Sequence, residues 1–152
     1  MEGEMPTPNR FNVRVYGIIR DASGKRLLLT RERMGDVLMT KFPGGGLEFG
    51  EGLEAGLKRE MMEELKLEVK VGKLFYINEF FQRSAFKATD QLLSVYYEVS
   101  PQTGNFPETF SPRQFPGQYL EFFWHDLKTL PIQRLSFPID KIVVQRLKDE
   151  LI

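Results

Sequence analysis

The sequence predicts a single mixed α/β domain, a strand-rich sheet covered by an early helix and a C-terminal helix. Three observations carry that reading. Leu53, Leu57, Met61 and Leu65 recur every four residues in a stretch without proline, which is the clearest helix in the chain. Several β-branched and aromatic runs, separated by Gly, Pro, Asp and Ser, read as strands. Pro138 precedes an apolar stripe of Ile139, Ile142, Val143, Leu147 and Leu151, which predicts a terminal helix with proline at its start.

The elements follow in order. Residues 1–10 form a polar tail with no apolar core, unlike a secretory signal, and residues 11–152 form the domain. Phe11 to Arg20 and Arg26 to Thr30 are strands joined by a turn at Asp21, Ser23 and Gly24. Val37 to Phe42 is short and runs into Pro43 and three glycines, where regular structure must break. The helix is expected over Glu51 to Leu65. Leu67 to Phe81 returns to β alternation with a break at Gly72, and Gln91 to Val99 reads as a buried strand. Ser100 to Gln118 holds four prolines and two glycines; a loop that long in a compact domain is usually a lid or a mobile segment. Tyr119 to Trp124 is a last aromatic strand.

Composition excludes several function classes. With 152 residues the chain fits one domain able to bury a core without staples. It has no Cys and one His, which removes disulfides, thiolate nucleophiles, thiolate zinc sites and most histidine-built metal sites; a reducing, cytoplasmic setting is the expectation. Lys plus Arg total 21 and Asp plus Glu total 21, so the net charge of zero argues against a broad basic surface for a nucleic acid polymer while leaving room for a single nucleotide. No apolar run approaches the roughly 18 residues of a membrane span, so no membrane partner is expected.

The chemistry concentrates around the early helix. Gly45 is followed after five residues by Glu51, then after seven by Arg59, Glu60, Met61, Met62, Glu63 and Glu64. On a helix, positions 60, 63 and 64 lie three and four residues apart, so their carboxylates fall on one side. Three like charges within a turn repel, and a hard cation offsets that repulsion; all-oxygen ligation suits Mg²⁺ or Mn²⁺ rather than zinc. Gly44 to Gly46 and Gly50 allow a close backbone approach, carbonyls toward a metal and amides toward phosphate. Glu51 stands at the helix entrance with Arg59 two turns along within reach of it. No Lys followed by Ser or Thr closes the glycine loop, so it is not a Walker loop.

This constellation resembles the Nudix hydrolases, whose signature runs here from Gly45 to Leu67 as GGLEFGEGLEAGLKREMMEELKL after the lead-in Phe42, Pro43, Gly44. Every charged position matches, and six identities at fixed spacing arise by chance with a probability on the order of 10⁻⁷ at any one start. The family's late glycine is replaced by Lys66, which carries a Cβ into a position that favours a left-handed turn. The resemblance implies a Nudix-type α/β/α sandwich with a mixed sheet and cleavage of a diphosphate bond in a small nucleoside diphosphate derivative, such as a nucleoside triphosphate, a nucleotide sugar or an ADP-ribose type. It implies Mg²⁺ held by Glu60, Glu63 and Glu64 with the Gly45 carbonyl, Arg59 orienting the carboxylates through Glu51, and possible homodimers.

A further carboxylate outside the signature often serves such enzymes as a base. Glu121 in the last strand is the first candidate, ahead of Glu108 in the long loop and Glu98 on a strand, while Gln118 sits where several members carry Glu. Tyr76, Phe80, Phe81 and Trp124 are candidates for stacking on a base, and Arg31 and Arg33 for a phosphate contact; His125 reads as a surface residue. ADP-ribose-cleaving members tend to carry Pro some 16 residues past the box, where this chain has Arg83. Two other readings stand beside the enzyme. The acids could be a solvated helix face, supported by Glu54 with Lys58 and Arg59 with Glu63, or the fold could be a non-catalytic ligand-binding or regulatory module.

Overall fold

The computed structural model describes residues 4–151. Eight strands and two α-helices follow the expected order: β1 Arg10–Ile19, β2 Arg26–Met34, β3 Val37–Lys41, β4 Gly44–Gly46, α1 Leu53–Leu65, β5 Val69–Ile77, β6 Asp90–Pro101, β7 Arg113–Phe115, β8 Gln118–Asp126 and α2 Pro138–Asp149. One sheet is mixed, in the order β4-β1-β6-β5, with β1 and β6 parallel; the second, β3-β2-β8-β7, is antiparallel throughout.

Alternation along the strands sends side chains to two cores, each capped by a helix. Val15 and Ile19 of β1, with Leu28, Val95 and Phe122, pack under Leu57, Met61 and Leu65 of α1. Tyr16 and Ile18, with Leu27, Leu29 and Tyr96, pack under Ile139, Val143 and Leu147 of α2. Burial on both faces explains the unbroken buried stretches Val15 to Ile19 in β1 and Leu27 to Thr30 in β2. This is the α/β fold expected, with helices on either side of the strands.

Four local differences have physical causes. Of the tail at 1–10, residues 1–3 lie outside the described residues, and Arg10 already opens β1, its amide and that of Asn9 donating to the Thr89 carbonyl. Helix α1 starts at Leu53 rather than Glu51, because Gly50 takes φ of 90° and Gly52 caps in an extended conformation, leaving Glu51 on the loop. The break at Gly72 is a bulge in the pairing of β5 with β6. The stretch from Ser100 to Gln118 is pinned: Phe106 and Phe110 pack against Trp124 and Phe122, and β7 pairs with β8.

Candidate functional site

The break expected at Pro43 and the three glycines is confined to Phe42 and Pro43; the glycines themselves, free of side chains that would clash with β1, make β4 an edge strand that lies against it, with Val15 opposite Gly45 and Tyr16 opposite Gly44. Gly44 has φ of 141°, and a Cβ there would stand 2.1 Å from the Val15 carbonyl oxygen, so no other residue fits. A Cβ at Gly45 would stand 2.7 Å from Glu60 Oε1; the missing side chain leaves the space that the Glu60 carboxylate fills. The Gly44 amide points at Glu64 Oε1 from 3.4 Å. Two acids of α1 are thus buried against the glycine strand.

Arg59 ties loop and helix together. It donates to Glu51 at 2.6 Å, to the Gly46 carbonyl at 3.0 Å, to Glu60 at 3.1 Å and to Glu63 at 3.2 Å. The guanidinium holds the Glu51 carboxyl down at about 2. Burial works in the other direction on Glu60 and Glu64. It raises both, Glu64 to about 8, because each charge loses water; the Glu60 charge adds to the rise at Glu64 and the Glu63 charge to that at Glu60, while Lys41 opposes the shift at both, as does Arg59 at Glu60.

The acids do not all meet. Among the described residues no group of three His, Cys, Asp or Glu side chains is close enough to hold a metal ion, since Glu63 stays half exposed and paired with Arg59 while Glu60 and Glu64 turn inward. The donor set still fits a hard divalent cation. Two buried carboxylates that burial pushes toward neutrality lie against a backbone left open by glycine, and a cation beside them favours their charged forms.

A cavity of about 370 Å³ opens beside this face, between the two sheets and the start of α2. Arg14 and Lys41 line it, and both act electrostatically on the box acids, Arg14 on Glu60 and Lys41 on Glu64. Glu32 also lines it, with its carboxylate 2.8 Å from Lys41 Nζ and accepting from Gln118 Nε2 at 2.9 Å. Glu32 escaped the sequence reading because it lies between Arg31 and Arg33 in a run that reads as exposed. Its signal was the alternation: Leu28, Thr30 and Glu32 share one face of β2, and all three are buried.

Glu121 is not brought to the site. The β2–β8 register sets Glu32 opposite Leu120 and Arg31 opposite Glu121, so Glu121 points to the other face and is exposed. Gln118, of the inward parity, reaches the cavity instead. Glu108 is bound by Arg26 at 2.6 and 2.7 Å, and Glu98 by Arg20 at 3.2 Å. The cavity's aromatics are Tyr16, Tyr96, Phe86 and Phe137; Tyr76, Phe80, Phe81 and Trp124 lie outside it, Tyr76 under Arg146 and Trp124 under Arg26. Arg31 lies over Phe123, Arg33 is exposed, and His125 bonds only the neighbouring Asp126 carbonyl.

Fold and site together define an α/β sandwich in which a glycine strand packs against two buried acids of a helix, while Arg14 and Lys41, which act on those acids, line a cavity that no residue of the strand or the helix lines. The chain belongs to the Nudix family: the family model described as NUDIX domain matches residues 10–146. Solved structures agree on the fold. A MutT protein from Methanosarcina mazei Go1 matches with TM-score 0.69 at 18% identity over 97% of this chain and 99% of that one. A MutT NUDIX hydrolase from Burkholderia pseudomallei matches with TM-score 0.68 at 20% identity, over 90% and 98% respectively. An ADP-ribose pyrophosphatase from Streptococcus suis 89-1591 matches with TM-score 0.56 at 14% identity over 91% of each. Members of the family are pyrophosphohydrolases of small nucleotide-derived substrates and generally use divalent metal ions. No helix among the described residues is long and apolar enough to cross a membrane.

Proposed function

We propose that this protein is a Mg²⁺-dependent pyrophosphohydrolase that cleaves the diphosphate bond of a small nucleotide-type substrate. The observation that carries the reading is the burial of Glu60 and Glu64 against Gly44 and Gly45, beside a cavity lined by Arg14 and Lys41. Mg²⁺ is the cation proposed, with Mn²⁺ as substitute, held by Glu60, Glu63 and Glu64 with the Gly45 carbonyl. When bound, it offsets the charge that builds on the phosphoryl oxygens.

The chain's own residues divide the remaining work. Arg14 and Lys41 neutralise the diphosphate and draw it toward the box acids. Arg59 fixes Glu51 and Glu60 through the loop, so that the site is held before substrate arrives. Glu63, the most exposed of the three box acids and paired with Arg59, is the acid we assign to take the proton of an attacking water; Glu121, on the outer face of β8, supports that role less.

The test is phosphate release, coupled through a phosphatase or pyrophosphatase, from nucleoside triphosphates, nucleotide sugars, ADP-ribose and dinucleoside polyphosphates. Turnover is expected with Mg²⁺ and not with chelator. Glu64→Gln, which keeps size and removes charge, is expected to lower kcat by at least about a hundredfold with the fold intact by circular dichroism. Unchanged turnover in that variant would remove α1 from the chemistry. Mg²⁺ binding with no turnover across the panel would favour a ligand-binding module.

A further inference from the structure

The loop between β5 and β6 makes one wall of the cavity, through Arg83, Ser84, Phe86 and Lys87 among others. It has little packing of its own. Phe80, Phe81 and Phe86 are exposed, and the aromatic contact of the tip is that of Phe86, edge-on to Phe137 at 5.9 Å. A segment with so few buried apolar contacts owes its position to hydrogen bonds. Some of these close the loop on itself: the Ser84 amide donates to the Asp90 carbonyl at 3.0 Å, and Ser84 Oγ accepts from the Phe86 and Lys87 amides at 3.2 and 3.3 Å. They set the shape of the loop and leave its angle to the cavity open.

The rest come from the N-terminal arm, residues 4–9, and from the first residue of β1. Arg83 Nη1 donates to the Pro6 carbonyl at 2.6 Å and to the Ala88 carbonyl of its own loop, while the guanidinium lies over Phe81 at 5.4 Å. The Asn9 and Arg10 amides donate to the Thr89 carbonyl at 2.8 and 3.2 Å, and the Arg10 guanidinium donates to Asp90 at 3.0 and 2.7 Å. Among the described residues, the hydrogen bonds of the arm go to this loop alone. Pro6 and Pro8 have no amide to donate, so the arm cannot continue β1 as a ladder strand, and beyond Asn9 it depends on the charged donor of Arg83. One arginine thus joins arm, loop and cavity.

We propose that Arg83 is a positioning residue that ties the N-terminal arm to the loop walling the cavity, so that a docked arm strengthens nucleotide binding and a bound nucleotide strengthens docking of the arm. This rests on the nucleotide reading of the cavity. Two partners that favour the same position of one loop raise each other's affinity by the same factor. The arm and Arg83 are assigned to affinity and not to bond cleavage, since none of their hydrogen bonds reaches Glu60, Glu63 or Glu64.

The first measurement uses the intact protein. Amide hydrogen exchange at Asn9 and Arg10 is followed with Mg²⁺, without nucleotide and with saturating AMP, GMP, CMP or UMP, whichever calorimetry shows to bind most tightly. Neither residue lines the cavity. Exchange at both is expected to slow about fivefold or more when the nucleotide binds, the lower end of coupling between sites. Exchange unaltered by a bound nucleotide would overturn the proposal and leave the nucleotide reading standing; no binding of any of the four would remove both. The second measurement is a double-mutant cycle on the full chain. Asn9→Pro deletes an amide donor of the arm, outside the cavity, and Arg83→Gln removes the charged tie. Each is expected to weaken nucleotide binding about fivefold, and the two together little more than either alone, because both release the arm. With the substrate found by phosphate release, Asn9→Pro is expected to raise KM by a similar factor at unchanged kcat. Additive losses would show that Arg83 acts on the nucleotide without the arm and would overturn the proposal, as would an Asn9→Pro that binds as tightly as the parent. If either variant fails to fold, the exchange result on the intact protein decides. Absence of phosphate release with the coupling intact would sink the hydrolase reading and leave this one standing.

Discussion

Lys66 closes α1 with φ of 58°, in the left-handed region, where its amide donates to the Met62 carbonyl at 3.1 Å. A Cβ there meets the following backbone, at a cost of about 1 kcal/mol relative to glycine. This is the single departure from the family signature, and it lies on the strained side of the backbone map without touching any carboxylate of the box. Lys66→Gly is therefore expected to raise stability by about 1 kcal/mol and the melting temperature by about 2–4 °C, leaving turnover unchanged. A scanning calorimetry trace with an equal or lower melting temperature would show that the left-handed turn carries no such strain.

The loop and the helix depend on one another as elements. Strand β4 is only Gly44 to Gly46, and it approaches β1 so closely that a Cβ at Gly44 would lie 2.1 Å from Val15 O and 2.8 Å from Tyr16 Cα. Backbone cannot yield as a flexible side-chain tip can. Gly44→Ala is expected to cost about 3 kcal/mol in urea denaturation and to abolish turnover with it, because β4 displaced from β1 also leaves Glu60 and Glu64. A variant of native stability would mean that β4 tolerates a different path. Gly56 offers the contrast, since a Cβ there meets the Leu47 side-chain tip at 2.6 Å, a group that can turn aside. What the sequence shows on its own follows from how local each signal is. The stripe of α1 and the pairing of Glu51 with Arg59 depend on residues close in sequence, and the structure has both; the glycines, expected to break regular structure, pair instead with β1, a partner some thirty positions away. The facing of Glu121 and Glu32 depends on the register of β8 on β2, set by residues some ninety positions apart, and no single-strand pattern contains it. Asp140 was masked for a similar reason: read along α2 it is one polar residue in a helix's first turn, and only the packing of α2 over Tyr96 places it in a cavity.

At the scale of the whole molecule, the two cores leave the acids unequal. Those on the rim are held low by arginines, Asp21 to about 2 by Arg26 against the cost of its own burial, and these support the fold at every pH above the usual carboxylate range. Asp140 is the opposite case: its burial under α2 pushes its carboxyl up to about 6 from 3.8, with the Tyr96 hydrogen bond, Lys41 and Arg14 opposing only in part. The folded chain then keeps a proton that the unfolded chain releases between about pH 4 and pH 6, so this group's contribution to stability falls as pH rises through that window and is flat above it. The difference between about 6 and 3.8 corresponds to about 3 kcal/mol lost by pH 7. Glu64, raised to about 8, adds the same sign over a higher window, and the arginine-held acids add the opposite sign below it, so the raw pH profile of the protein blends all three. Asp140→Asn isolates one of them, because an amide keeps the shape and the Tyr96 bond while removing the titration. Urea denaturation of both proteins at pH 4.5 and pH 7.5 is expected to show the variant gaining on the parent by about 2 kcal/mol between the two, since the unfolded chain is already largely ionised at the lower pH. A difference that stays the same at both values would mean that Asp140 ionises in the fold as it does in the unfolded chain, and that the cavity wall around it is wetter than its packing shows.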